Sequence, residues 1–102
     1  MLIISETARL DLLEIFSHIA EDSVDSAHKV IAELAKKFDL LEANPKLGRE
    51  QNDLLVEMRL FPHKNYHVYY FPIKDGVEIY RVLHGKRNIE ELFEDHFEGL
   101  KE

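Results

Sequence analysis

The sequence predicts an α+β fold: an N-terminal helical hairpin packed on a small antiparallel sheet in the order β-α-α-β-β-β, with a C-terminal helix. Three observations lead there. Apolar residues recur at helical spacing as far as Leu41 and then at a spacing of two from Val56. Asn44-Pro45 and Gly48 punctuate the change of period. The 102 residues, 45% of them apolar, suffice to bury one core, so residues 1–102 read as a single domain.

The first segment, Leu2 to Ile4, is short and apolar and reads as an edge strand. Ser5 is placed to cap a helix in which Ala8, Leu12, Ile15, Phe16, Ile19 and Ala20 form the apolar stripe, while Glu6, Asp11, Glu14 and Glu21 fall elsewhere. A polar joint, Glu21 to Ser23, leads to a longer helix carrying Ala27, Val30, Ile31, Leu34, Ala35, Phe38 and Leu41. In the second half Val56, Met58 and Leu60 alternate with Glu57, Arg59 and Phe61, a strand expected to end at Pro62. Tyr66 to Phe71 is almost wholly aromatic or β-branched and is expected to close at Pro72. Asp75-Gly76 supplies the turn into a third strand, Val77 to His84. Asn88, with Glu91 three residues on, caps a last helix whose stripe is Ile89, Leu92, Phe93, Phe97 and Leu100. One sheet face should lie under the hairpin, leaving the other, with Glu57, Arg59 and some of the Tyr and His residues, open.

Composition narrows the function. Thirteen Lys and Arg against twenty Asp and Glu give a net charge of -7, which disfavours general affinity for phosphate backbones. The absence of Cys removes disulfide, thiolate-metal and Cys-nucleophile chemistry and suits a cytoplasmic location. No apolar run is long enough to span a bilayer. The glycines at 48, 76, 85 and 99 are too scattered for a phosphate-cradling loop, and no cofactor is implied.

In this order and spacing, several residues resemble the ParE/RelE superfamily of toxins from bacterial type II toxin-antitoxin modules. They are Ala8, Asp11-Leu12 and Ile15; Pro45, Gly48 and Arg49; Met58-Arg59 and Phe61-Pro62; Tyr66, Val68 and Tyr70; and Arg81-Val82-Leu83-His84-Gly85 with Arg87. The resemblance implies one of two activities: ribosome-dependent mRNA cleavage, as in RelE-like members, or inhibition of DNA gyrase, as in ParE-like members. Cleavage requires groups that activate the ribose hydroxyl, protonate the leaving oxygen and neutralise the phosphate. Carrying the RelE-like pattern over puts its two lysines on Leu55 and Glu57, its arginines on His67 and Arg87, and its tyrosine on Phe93. Only Arg87 keeps the chemistry, because Leu and Phe transfer no proton and Glu57 reverses the charge. A ParE-like, non-enzymatic toxin is therefore expected, one that binds DNA gyrase and assembles with a ParD-like antitoxin into a hetero-oligomer. Such an antitoxin would lay a helix along the hairpin and extend the sheet with a strand. Any DNA contact would belong to the antitoxin. The alternatives are an mRNA interferase built on Glu57, His67 and Arg87, and a non-toxic relative that only binds antitoxin.

The residues expected to meet antitoxin or target are Arg59, Lys64, Arg81, His84 and Arg87. Each has a structural alternative. Arg59 and Arg81 either fork onto a partner carboxylate or pair within the sheet with Glu57 and Glu78. Arg87 either serves function, as the resemblance implies, or bridges to Glu90 or Glu91; family relatives commonly carry Asp at the next position, where Asn88 removes that charge. His84 fits a structural hydrogen-bonding role better than that of a base or ligand. His63 and His67 are four apart but in an extended or turn region, without the helical geometry of a metal pair. The aromatic strand residues pack together more often than they stack bases.

Overall fold

A computed structural model describes residues 1–86; the expected C-terminal helix and Arg87 lie outside the described residues. The elements are β1 (Leu2–Ile4), α1 (Glu6–Ala20), α2 (Val24–Ala43), β2 (Arg49–Glu50), β3 (Arg59–His63), β4 (Tyr66–Ile73) and β5 (Gly76–His84). The α+β architecture and the hairpin-on-sheet layering are those expected from the two periods. The sheet is larger than expected and mixed: five strands in the order β1-β5-β4-β3-β2, with β1 parallel to β5 and the remaining pairs antiparallel.

Local chemistry sets the helix ends. The Ser5 hydroxyl accepts from the Ala8 N–H at 3.0 Å, and Ser23 caps α2 by accepting from Ser26 N–H at 3.1 Å. At the other end of α2 the Asn44 side-chain amide donates to the Leu40 carbonyl at 3.1 Å. The inner core joins Ala8, Leu34, Phe38 and Leu41 of the helices to Val68, Tyr70, Val77, Ile79 and Val82 of the sheet. Each large side chain buried here contributes roughly 1.5–3 kcal/mol, which is why the hairpin stays on the sheet.

Four strand boundaries differ from the sequence reading. Val56 and Glu57 precede β3 in a turn, Val56 is 81% exposed, and Glu57 adopts a left-handed φ of 67°. Alternation there reflects a turn that tucks Leu54, Leu55 and Met58 inward, not a strand. Pro62 and Pro72 lie within strands because each occupies a stretch that one neighbour leaves uncovered. β2 reaches only Arg59 and Leu60 of β3, and β3 reaches no further along β4 than Tyr70. The β4–β5 turn is Lys74-Asp75, Asp75 taking φ 62°, and Gly76 already pairs with Ile73. Glycine is needed at 76 because a Cβ would run into the Met1 carbonyl.

The far face of the sheet is not left open. Met58, Leu60, Tyr69 and Leu83 form a second buried cluster, with Leu54, Leu55, Phe71 and Tyr80 against it. A bulge makes this possible. Tyr69 pairs with Arg81 but Tyr70 with Ile79, so Tyr80 is the extra residue. The change of phase lets Val82 continue the inward row of Val77 and Ile79, and turns Leu83 to the other side.

Candidate functional site

β1 covers β5 only from Val77 to Ile79, and α1 closes the edge beyond. The Ser5 hydroxyl donates to the Tyr80 carbonyl at 2.8 Å. Further along α1 the Asp11 carboxylate accepts from the Val82 N–H at 2.9 Å and from Arg81 through Nε at 2.9 Å and Nη2 at 3.1 Å. Asp11 is only 6% exposed, so this two-pronged contact replaces its lost water. The hydrogen bond to Asp11 pushes the Arg81 pKa up against the opposing effect of burial. Next to this junction a cleft of about 310 Å³ opens, with Glu14 and His18 of α1 on one wall and Tyr66 and His84 on the other. His84 stacks edge-on against Tyr66, with ring centroids 5.8 Å apart, and its Nδ1 accepts from the Lys86 N–H at 3.2 Å. On the outer surface of α1, Leu10 and Leu13 are 59% and 62% exposed and stand one turn apart, with Glu6 and Glu14 also exposed nearby along the helix.

The segment after α2 is pinned from the sheet. The Tyr70 hydroxyl accepts from Gly48 N–H at 2.8 Å and donates to the Pro45 carbonyl at 2.7 Å. Arg59 Nη1 donates to the carbonyls of Gly48, at 2.6 Å, and Lys46, at 3.1 Å, while Nη2 meets Glu50 at 3.3 Å. At the β3–β4 turn Lys64 reaches Glu33 of α2 at 2.8 Å, and His63 Nε2 lies 3.4 Å from the same oxygen. Those two contacts, Lys64 first, hold the Glu33 pKa below the ordinary carboxylate value. On the far face His67 lies near Tyr69, with ring centroids 6.3 Å apart; burial, then Arg49 and His84, depress its pKa.

The family model described as the ParE toxin of the type II toxin-antitoxin system, parDE, matches residues 2–89. The chain belongs to the ParE toxin family. It is 32% identical over 80 residues to Toxin ParE3 of Caulobacter vibrioides, covering 78% of this chain and 80% of that protein. The residues that carry the resemblance form two locks in this chain: Asp11 with Arg81 holds helix to sheet, and Tyr70 with Gly48 and Pro45 holds the connection between them.

Within this ParE toxin the expected binding residues separate into different roles. Arg59 pairs with Glu50 and two carbonyls, not with Glu57, because the turn at residues 51–57 carries Glu57 off the strand. Arg81 pairs with Asp11, not with Glu78, because α1 brings the Asp11 carboxylate to the β5 edge beyond the end of β1. Both arginines therefore hold the fold. Lys64, with its side chain 64% exposed, pairs with Glu33, and His84 lines the cleft. Of the trio considered for RNA cleavage, Glu57 sits in a hollow with Lys46, Asn52, Arg59 and Pro72. No hydrogen bond or ion pair joins Glu57 to His67 among the described residues, and the third member, Arg87, lies outside them. No group of three His, Asp or Glu side chains is placed to hold a metal among the described residues. Nor is any described helix long and apolar enough to cross a membrane.

Sequence reasoning quoted Asp11 and Arg49 for the resemblance but placed Asp11 off the buried stripe, and it gave no structural role to Glu33 or Arg49. For Asp11 a signal existed: it lies three residues after Ala8 and four before Ile15, hence on the inward stripe despite its charge. Glu33 and Arg49 offered none, since their neighbours come from distant strands.

Proposed function

We propose that this toxin acts by binding DNA gyrase, without chemistry of its own, and that a cognate ParD-like antitoxin holds it inactive. The observation that carries the proposal is the fate of the two positions where RelE-like enzymes place lysines. Leu55 packs into the far-face apolar cluster, and Glu57 is turned away into a hollow beside Lys46 and Arg59. A group that transfers protons must stand within hydrogen-bond reach of its substrate, together with its partners. Here one such position is aliphatic, and the other makes no hydrogen bond or ion pair with His67 among the described residues.

The antitoxin part of the proposal is supported by α1, whose exposed Leu10 and Leu13 offer an apolar seat one turn long. An amphipathic helix with apolar residues three or four apart fits that surface, and the acidic side chains nearby favour a basic one. The purified chain is expected to inhibit supercoiling by gyrase and to leave ribosome-bound mRNA intact. A-site cleavage of message on programmed ribosomes, with gyrase unaffected, would instead favour the interferase built on His67. Cells expressing the chain should form filaments and signal DNA damage before translation falls.

A further inference from the structure

We propose that the turn from Gln51 to Met58, with the hollow beside it, is the surface that docks on the toxin's protein target, a proposal that rests on the reading of this chain as a toxin that acts by binding. The turn is held in one shape. Gln51 N–H donates to the Met58 carbonyl at 2.7 Å, Leu54 N–H to the Gln51 carbonyl at 3.1 Å, and Met58 N–H to the Leu55 carbonyl at 3.1 Å. Leu54, Leu55 and Met58 anchor it in the far-face cluster. Val56 is left outside, 81% exposed, the most exposed large apolar side chain among the described residues. The next residue, Glu57, takes a left-handed φ of 67°, which strains an L side chain and which glycine would adopt freely. Asn52 Oδ1 accepts the Glu57 N–H at 2.9 Å and fixes that conformation. Neither the Val56 side chain nor the Glu57 carboxylate is used by the core, and backbone strain of this kind concentrates where a protein grips something else.

The hollow supplies the polar half of the surface. It measures about 320 Å³ and is lined by Lys46, Glu50, Asn52, Glu57, Arg59 and Pro72. Arg59 and Glu50 satisfy each other at 3.3 Å, but no hydrogen bond or ion pair engages the Lys46 ammonium or the Glu57 carboxylate among the described residues. A free cation and a free anion therefore line one cavity. Lys46 also borders a second hollow with Asn44, Pro45 and Leu47, where Leu47 is 49% exposed. Each free charge thus has an exposed apolar neighbour in the chain, Leu47 next to Lys46 and Val56 next to Glu57. Such a surface fits a folded protein that offers apolar sockets and an opposite pair of charges, an acidic group toward Lys46 and a basic one toward Glu57. A phosphate backbone would be repelled by Glu57, and a purely apolar partner would strand both charges. The surface is also separate from the proposed antitoxin seat: α1, with Leu10 and Leu13, packs on α2 and β5, whereas this turn closes β2 onto β3.

The test compares the full chain with three variants: Val56→Asp, Glu57→Gly, and the exchange of Lys46→Glu with Glu57→Lys, which keeps the net charge and reverses the pair. Each is measured for inhibition of supercoiling by purified DNA gyrase, growth arrest on expression, co-purification with the co-expressed antitoxin, and urea midpoint. Inhibition by each variant is expected to need roughly tenfold more protein, with growth arrest weakened in parallel and antitoxin co-purification kept. Glu57→Gly, relieved of its strained φ, is expected to raise the urea midpoint even as it loses inhibition, an opposition of sign that a purely structural role for Glu57 does not produce. Wild-type potency in Val56→Asp or in the charge exchange would overturn the proposal. A loss of inhibition that comes with a fallen urea midpoint or with loss of the antitoxin would overturn it too. If the unaltered chain arrests growth but leaves gyrase untouched, the gyrase reading alone fails and growth arrest reads the surface: weakened arrest in the variants supports it, and undiminished arrest overturns it.

Discussion

Arg81 grips Asp11 across 70 residues of chain, and the carboxylate it holds also accepts the Val82 N–H at 2.9 Å. One side chain of α1 therefore completes the β5 edge where β1 stops. Asp11→Ala removes the acceptor of three donors and leaves a partly buried guanidinium uncompensated. Removing one partner of a buried pair costs about 3–5 kcal/mol, and the partial exposure of Arg81 places the expected loss at the lower end. Urea denaturation should show it. Asp11→Asn, which keeps one acceptor oxygen, should lose less than Asp11→Ala, and an equal loss would mean that packing, not the ion pair, is what matters there.

Tyr70→Phe tests the second lock. The change removes only an oxygen, yet it strips the buried Gly48 N–H of its acceptor and the Pro45 carbonyl of its donor. An unsatisfied buried group costs about 1–3 kcal/mol. Amide exchange at Gly48 should accelerate by more than the global loss of stability explains. Gly48→Ala should be worse, since a Cβ there would lie 2.7 Å from the Tyr70 ring and 2.9 Å from the Leu60 carbonyl.

These two locks mark the limit of what could be read from sequence. The two helices were legible because Ser5 signals the first start, the polar joint from Glu21 to Ser23 separates the two, and the stripes from Ala8 and Ala27 keep a helical period. The β4–β5 hairpin was legible from Asp75-Gly76, although the turn itself falls one residue earlier. What escaped depends on long-range geometry. The two residues of β2 carry no period at all, and the bulge at Tyr80 is invisible to alternation. Asp11 was misassigned because charge was taken as exposure, when its salt bridge partner lay at the other end of the chain. For Arg59 and Arg81 the sequence left a partner carboxylate and a pair within the sheet as alternatives; each has a carboxylate within the fold, Glu50 and Asp11, that the alternation of the strands did not point to.

His67 should make the protein less stable in mild acid. Its pKa is depressed in the folded state, chiefly by burial and then by Arg49 and His84. Between that value and the unfolded value of about 6.5, the unfolded chain binds more protons, so stability rises with pH across this window. Above it both states hold the neutral ring and the effect vanishes. The urea midpoint is expected to fall as pH drops below 6.5, and His67→Gln should flatten that fall while changing the midpoint little at pH 8. A profile as steep in the variant would assign the acid sensitivity to other groups.

Leu10→Glu and Leu13→Glu separate antitoxin binding from stability. Both side chains are about three-fifths exposed on the outer surface of α1, away from the inner core. Surface changes of this kind shift stability by about 0.5 kcal/mol or less. Placing a charge in an apolar contact with a partner helix is far more damaging, because the carboxylate must shed its water on docking. The double variant should therefore keep its denaturation midpoint, fail to co-purify with the co-expressed antitoxin, and remain toxic when that antitoxin is present. Retained co-purification would move the antitoxin off this face, and the cleft between α1 and His84, walled by Glu14 and His18, would then be the next surface to mutate.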